Sequence, residues 1–305
     1  MKDLLTLLDL SAEQILEILD LADKLKECKY DGISHQKLKN KTLAMIFEKS
    51  STRTRVSFEV GMFELGGQAI FLSSNDIQLG RGESVKDTAR VLDRYVDGIM
   101  IRTYKQSDVE ELAAYSRVPV INGLTDEFHP CQVLADLMTI REYFKTFKGL
   151  NACFIGDSYN MANSLIVGCL KMGMNFTLIT PDASTLSPRV LEFVKDYPNF
   201  KITDNVLEGA KGAHVLFTDV WASMGHEKEV SSRKEKFKDF AITDEVMAVA
   251  AENAIIQHCL PAHKGEEISE EIFEAHAKEI FDEAENRLHA QKAVMVMLMS
   301  GGMKK

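Results

Sequence analysis

TLAMIFEKSSTRTRVSFEVGMFELGGQAIFL, residues 42–72, holds one full repeat of a parallel α/β fold. Thr42–Phe47 is an unbroken apolar run, the pattern of a strand buried on both faces. A helix is expected from about Arg53 to Leu65, with Gly66-Gly67 as its stop. Gln68–Leu72 is the next strand. A helix between two apolar strands is the usual crossover of a parallel pair, so the two strands are expected to run parallel.

The same alternation continues outward. After the polar loop SSNDIQLGRGES (residues 73–84) come a helix from Val85 to about Tyr95, the strand GIMIR, a helix capped by Ser107 and the strand PVIN. The long helix HPCQVLADLMTIREYFKTF (129–147) follows, with Gly149 as its end. The pattern restarts at NACFIGD (151–157). It runs through a helix from Met161 to Met172, the strand FTLIT, a helix from Ser187 to Tyr197 with Pro188 in its first turn, and the strands KITD, HVLFTDV and AIIQHCL. A last helix is expected from about Ala284 to Met299. The fold class is therefore α/β, with two lobes, each a parallel sheet flanked by helices.

Composition narrows the function. The 305 residues carry 36 Lys and Arg against 46 Asp and Glu, a formal charge of −10, with 45% hydrophobic and 27% charged residues. That mix excludes a disordered or fibrous chain. The acidic balance argues against nucleic-acid binding, which needs a basic face. The cysteines, Cys28, Cys131, Cys153, Cys169 and Cys259, are odd in number and form no CxxC pair, so neither a disulfide scaffold nor a zinc site is expected. The leucine-rich N-terminus is broken by acidic residues and reads as an amphipathic helix, with Ser11 as N-cap and Gln14 completing a capping box. AVMVMLMSGG near the C-terminus is too short to span a bilayer. A soluble cytoplasmic protein without a membrane partner is expected.

In open parallel sheets, ligands sit beyond the carboxyl ends of the strands. Ser50-Ser51-Thr52-Arg53-Thr54-Arg55 follows the first strand and opens a helix. Hydroxyls, guanidinium groups and free helix N–H groups there make a phosphate cradle without glycines. Arg102 closes GIMIR, and His129 and Gln132 flank the start of the long helix. Asn160 opens the helix after Gly156-Asp157-Ser158-Tyr159, where G-x-G-x-x-G spacing is absent. Asp219-Val220-Trp221-Ala222-Ser223-Met224-Gly225 puts an acid and a small-residue turn after HVLFT, suited to a substrate ammonium. His258-Cys259-Leu260-Pro261 closes AIIQ, and Arg287 stands in the last helix. Taken singly, each of these is matched by an ordinary cap, turn or surface residue. Together they place an anion site on the first lobe and an acid-bearing site on the second, with a cleft expected between them.

SSTRTRVSFE, IQLGRGESVKDTARVL, HPCQVLADL, DVWASMG and HCLPAHKGEE, in this order, resemble the ornithine carbamoyltransferases. STRTR and HPxQ are shared with the wider aspartate/ornithine carbamoyltransferase family, whereas DxxxSMG and HCLP mark the ornithine type. The resemblance covers nearly the whole chain. It implies a carbamoyl phosphate-binding domain over residues 1–147 and an ornithine-binding domain over 148–305, with the last helix (about 285–300) returning to the first lobe. By the same resemblance, Ser51, Thr52, Arg53 and Thr54 bind the phosphate, and Arg102 spans phosphate and carbonyl oxygen. His129 and Gln132 hold the carbamoyl group, Gln78 helps to cover it, Cys259 and Leu260 approach the reacting centre, and Arg287 completes the anion site. Asn160, Asp219, Ser223 and Met224 hold ornithine, and Arg102, His129, Asp219 and Cys259 are the expected catalytic residues. The resemblance further implies a homotrimer or a multiple of it, with no metal or organic cofactor.

One departure stands out. The family's Gly-Asp-x-Asn-Asn segment here has Tyr159 in place of the first asparagine. The expected reaction is carbamoyl transfer from carbamoyl phosphate to the δ-amine of L-ornithine. Competing readings are a sister enzyme acting on aspartate, putrescine or N-acetylornithine, a nucleotide-dependent oxidoreductase, and a non-catalytic binding module. The Asp219–Gly225 segment favours a free α-amino acid, and the missing glycine spacing disfavours a nucleotide.

Overall fold

Four strands, β1 (Thr42–Phe47), β2 (Gln68–Ser73), β3 (Gly98–Arg102) and β4 (Val120–Leu124), pair in the order β2-β1-β3-β4. Five more, β5 (Asn151–Ile155), β6 (Asn175–Ile179), β7 (Phe200–Thr203), β8 (Val215–Thr218) and β9 (Ile255–His258), pair in the order β7-β6-β5-β8-β9. All pairings in both sheets are parallel. The computed structural model describes residues 1–221 and 230–301. The chain divides into two units, Met1–Ala135 with Asn286–Lys305, and Asp136–Glu285.

The helices are α1 (Ala12–Tyr30), α2 (Thr52–Glu64), α3 (Val85–Leu92), α4 (Gln106–Tyr115), α5 (Pro130–Phe144), α6 (Asn160–Lys171), α7 (Pro188–Phe193), α8 (Val206–Ala210), α9 (Val230–Phe237), α10 (Asp244–Val249), α11 (Glu270–Ala275) and α12 (Ala277–Met299). The box at the start of α1 forms as expected. Ser11 Oγ accepts from the Gln14 N–H at 3.2 Å, and Gln14 Oε1 accepts from the Ser11 N–H at 2.9 Å.

Several boundaries differ from expectation: α3 ends at Leu92 and α7 at Phe193, short of Tyr95 and Tyr197, and three others have a plain cause. Helix α4 starts at Gln106 after Lys105, so Ser107 lies inside the first turn and caps nothing. Helix α5 stops at Phe144 because Lys145 takes φ +62°; Gly149, at φ +83°, shapes the later turn instead. Helix α12 begins at Ala277, well before Ala284, in a stretch of good helix formers braced by a Lys278–Asp282 pair at 2.7 Å.

Each unit has its own core. In the first, Ala44, Ile46, Ile99, Ile101 and Val120 from the sheet pack with Val109 and Leu112 of α4. In the second, Cys153, Ile155, Ile179, Leu216 and Ile256 pack with Phe237, Ile272 and Phe273. Burying each large aliphatic side chain contributes about 1.5–3 kcal/mol. The C-terminal part of α12 belongs to the first unit and lies close against α2. A Cβ on Gly61 of α2 would meet Met295 Cε at 2.8 Å and Lys292 Cγ at 3.2 Å, so the two helices approach closely here. Beside it, the fully buried Lys292 donates to Glu64 Oε2 at 2.7 Å.

Strand order decides where ligands can enter. In the first sheet the chain leaves β1 toward β2 and leaves β3 toward β4, so the direction reverses between β1 and β3. In the second it reverses between β5 and β8. These are topological switch points, where the loops after adjacent strands part and open a crevice. Phe47 is paired with Arg102 at the first, and Ile155 with Thr218 at the second.

Candidate active site

At the first switch point the chain leaves β1 and turns into α2. Ser51 is the N-cap, its Oγ accepting from the Thr54 N–H at 3.2 Å. Thr54 is 1% exposed, and its hydroxyl is a hub. Its Oγ1 accepts from Ser51 Oγ at 3.1 Å, from Arg102 Nη1 at 3.4 Å and from Arg287 Nη2 at 3.4 Å. Two buried guanidinium groups thus converge on one neutral oxygen at the long limit of hydrogen bonding. An anionic oxygen would be a far better acceptor for both. Thr52 and Arg53 fill the first turn of the same helix, whose N-terminal dipole adds to the positive potential.

Arg287 also donates to Gln132 Oε1 at 2.6 Å, which joins α12 to α5. With its amide turned so that oxygen faces the guanidinium, the buried Gln291 accepts from Arg287 Nη2 at 2.8 Å and Nε at 3.1 Å. His129, 4% exposed, precedes α5, and its carbonyl accepts the Gln132 N–H at 3.2 Å. Burial, then the charges of Arg287, Arg102 and Arg53, hold the His129 imidazole well below the usual histidine range. It is neutral near pH 7 and can donate one hydrogen bond without carrying charge. Gln78 is different: it lies exposed on the short 3₁₀ turn Gln78–Arg81, and among the described residues its side chain is bonded to none of these groups.

The second switch point carries the opposite charge. Asp219 follows β8, and its Oδ1 accepts from the Cys259 thiol at 3.2 Å and from the Val220 N–H at 2.8 Å. Both side chains retain some surface, yet the carboxyl and thiol are hemmed in by protein. Burial raises the Asp219 carboxyl above its ordinary range. Burial, then the negative charges of Asp219 and Glu283, hold the Cys259 thiol well above its own. Cys259 is therefore a thiol and not a thiolate at neutral pH. Asn160 begins α6 after Gly156, whose φ of +151° a side chain would resist.

The turn after β9 is held from below. His258 Nδ1 accepts the Leu260 N–H at 2.9 Å, so the ring proton sits on Nε2 and faces Glu267 Oε1 at 3.1 Å. Glu283 Oε2 accepts the His258 N–H at 2.7 Å. His258, Glu267 and Glu283 are buried, and Leu260 takes φ +57° on top of them. Asp219, His258 and Cys259 also place one donor atom each within 4.8 Å of one another, as a metal site would. Here those atoms are already engaged, the thiol with the carboxylate and Nδ1 with a backbone amide.

Family comparison matches residues 2–142 to the aspartate/ornithine carbamoyltransferase carbamoyl-P binding domain, and residues 148–298 to the Asp/Orn binding domain of the same family. The chain belongs to the aspartate/ornithine carbamoyltransferase family. An ornithine carbamoyltransferase of Syntrophotalea carbinolica is 52% identical over 301 residues, covering 98% of this chain and 99% of that one. The ornithine carbamoyltransferase structure from Pyrococcus furiosus superposes with a TM-score of 0.93 at 45% identity, over 99% of this chain and 98% of that one. The anabolic ornithine carbamoyltransferase from Campylobacter jejuni gives 0.91 at 44%, over 98% and 99%.

For this carbamoyltransferase, the expected site residues other than Gln78, and than Thr52 and Asn160 at the starts of α2 and α6, fall into three groups. Ser51, Thr54, Arg102, Gln132 and Arg287 are joined by hydrogen bonds, with His129 and Arg53 coupled to them by charge. Asp219 and Cys259 are joined in the second unit, next to the Leu260 turn. Ser223 and Met224 lie outside the described residues. Four buried or half-buried supports were not foreseen: Gln291, Glu267, Glu283 and Arg233. Gln291 had a readable signal, because it stands four residues after Arg287 on one helix face.

Proposed function

We propose that the chain transfers the carbamoyl group of carbamoyl phosphate to the δ-amine of L-ornithine, giving L-citrulline and phosphate. The observation that carries this reading is the convergence of Arg102 and Arg287 on Thr54 at the N-terminus of α2, beside a neutral His129. Ser51, Thr52, Arg53, Thr54 and Arg287 would hold the phosphate, and Gln78 would cover it. Arg102 would bridge phosphate and carbonyl oxygen, while His129 and Gln132 hold the carbamoyl group and Leu260 contacts it. Asn160, Asp219, Ser223 and Met224 would hold ornithine.

The amine must attack without its proton, whereas a free alkylammonium has a pKa of about 10.4. The raised Asp219 carboxyl is the better acceptor for that proton. Cys259, held as a thiol, orients Asp219 and does not serve as a base. Arg102 and His129 then stabilise the oxyanion of the tetrahedral intermediate, and the hydroxyl and guanidinium donors stabilise the departing phosphate.

The test is product formation from carbamoyl phosphate with ornithine, aspartate, putrescine and N-acetylornithine. Citrulline from ornithine alone is expected. Preference for another amine would keep the phosphate half of this assignment and discard the ornithine half; no product with any amine would leave a binding module.

We also place the enzyme in the cytoplasm as a homotrimer or a multiple of it. All five cysteines are free thiols, and no described helix is long and apolar enough to cross a membrane. Val56 and Phe63 stand seven residues apart on one face of α2 and are 50% and 81% exposed, an apolar stripe suited to a neighbouring copy. Light scattering at three times the chain mass, reduced to one by Phe63→Glu, is the expected result.

A further inference from the structure

Arg233, on α9, joins two turns at the mouth of the second sheet. Its Nη1 donates to Asp157 Oδ2 and, at 2.9 Å, to the Trp221 carbonyl. Its Nη2 donates to Tyr159 Oη at 3.0 Å, and the guanidinium carbon lies 5.1 Å from the Tyr159 ring centroid. The side chains of Arg233 and Asp157 are only 11% and 13% exposed, so solvent and salt screen this group weakly.

These bonds do what the sheet cannot. The parallel ladder holds β5 against β8 as far as Ile155 and Thr218. Beyond that pair, the backbone of 156–160 and of 219–221 has left the ladder. Asp157 accepts from the adjacent Ser158 N–H and Asp219 from the adjacent Val220 N–H, which shape each turn separately. Arg233 supplies bonds that cross from one turn to the other. Tyr159 immediately precedes Asn160, and Trp221 stands two residues after Asp219. An asparagine at position 159, as in the Gly-Asp-x-Asn-Asn pattern, ends well short of where the phenol oxygen meets Arg233.

We propose that Tyr159 and Arg233 form a clamp that sets the spacing between Asn160 and Asp219, and so tunes how this chain grips its amino-acid substrate. Both are positioning residues: they act through Asn160 and Asp219. The proposal rests on the reading that Asn160 and Asp219 hold ornithine.

The test uses the full-length chain carrying Tyr159→Phe, Arg233→Lys, or both. Tyr159→Phe keeps the ring and deletes one hydrogen bond to a charged group, so kcat/KM for ornithine should fall about tenfold. Carbamoyl phosphate affinity, measured by calorimetry, should move by less than about twofold. The double variant should be no worse than Arg233→Lys alone, because the second change removes a bond already lost. Unchanged ornithine kinetics in Tyr159→Phe, independent multiplication of the two losses, or an equal loss of carbamoyl phosphate binding would each overturn the clamp. If Arg233→Lys does not fold, Tyr159→Phe with its two readouts still decides. A native chain that carbamoylates no ornithine overturns the functional reading and the clamp together, whereas an active native chain with an unresponsive Tyr159→Phe overturns the clamp alone.

Discussion

The two switch points are built alike and charged oppositely. At the first, burial and then the charges of Arg287, Arg102 and Arg53 keep the His129 imidazole uncharged. At the second, burial and then the charges of Asp219 and Glu283 keep the Cys259 thiol uncharged. Burial acts in the same direction at both, disfavouring any added charge. Each cluster therefore holds an excess of one sign and a neutral partner that can donate a hydrogen bond without cancelling that excess. Such a division suits one substrate that is an anion and another that arrives as a cation.

Four changes would break or sharpen the contrast. Arg102→Leu removes a donor to the expected oxyanion and should lower kcat/KM about 10³-fold. Steady-state kinetics on a variant with native circular dichroism would show it, and a loss below tenfold would take Arg102 out of the reaction. Asp219→Asn strikes the other pole. Ornithine kcat/KM should fall about 10²-fold while carbamoyl phosphate binding holds. Alkylation of Cys259 should also quicken, since Asp219 is one of the charges restraining its ionisation.

A gentler test concerns pH. His129 is depressed in the folded chain, whereas an unfolded histidine takes up its proton near pH ~6.5. The unfolded state then binds more protons than the folded one, so stability should fall as pH drops below about 6.5. Urea melts across that range should show the slope, and His129→Gln should flatten it. The smallest effect lies far from either pole. Ser11→Ala removes the α1 cap and should cost about 1 kcal/mol of stability with unaltered kinetics.

Much of this was legible from residue type alone. Apolar runs such as Leu43–Phe47 and Ile99–Ile101 became strands at the expected positions, because a strand buried on both faces favours that pattern. Ser11 was legible as a cap because a serine followed three residues later by glutamine, ahead of an amphipathic run, closes a capping box. Arg287 was not legible without the family resemblance, since an arginine within a helix reads as solvated surface; it is buried because α12 returns to the first unit. The short helices α8, α10 and α11 are five or six residues long, too brief to show a 3.6-residue period. Glu267 escaped notice because its partner His258 lies nine residues away across an irregular turn, where no periodicity operates. The end of α5 was misplaced because Lys145 adopts a backbone conformation usually left to glycine.

The return of α12 has a consequence for how the molecule comes into being. The first unit is assembled from residues 1–135 and from 286 onward, with the entire second unit between them in the chain. On a ribosome, the strands β1 to β4 emerge early but wait for residues 287–295 before Gly61, Glu64 and Thr54 can meet Met295, Lys292 and Arg287. Domains otherwise tend to fold in order of synthesis. Here the second unit can finish first, and the hydrogen-bonded cluster around Thr54 is completed only once Arg287 has emerged. A polypeptide terminated ahead of Arg287 would lack that side chain and could not complete the cluster around Thr54.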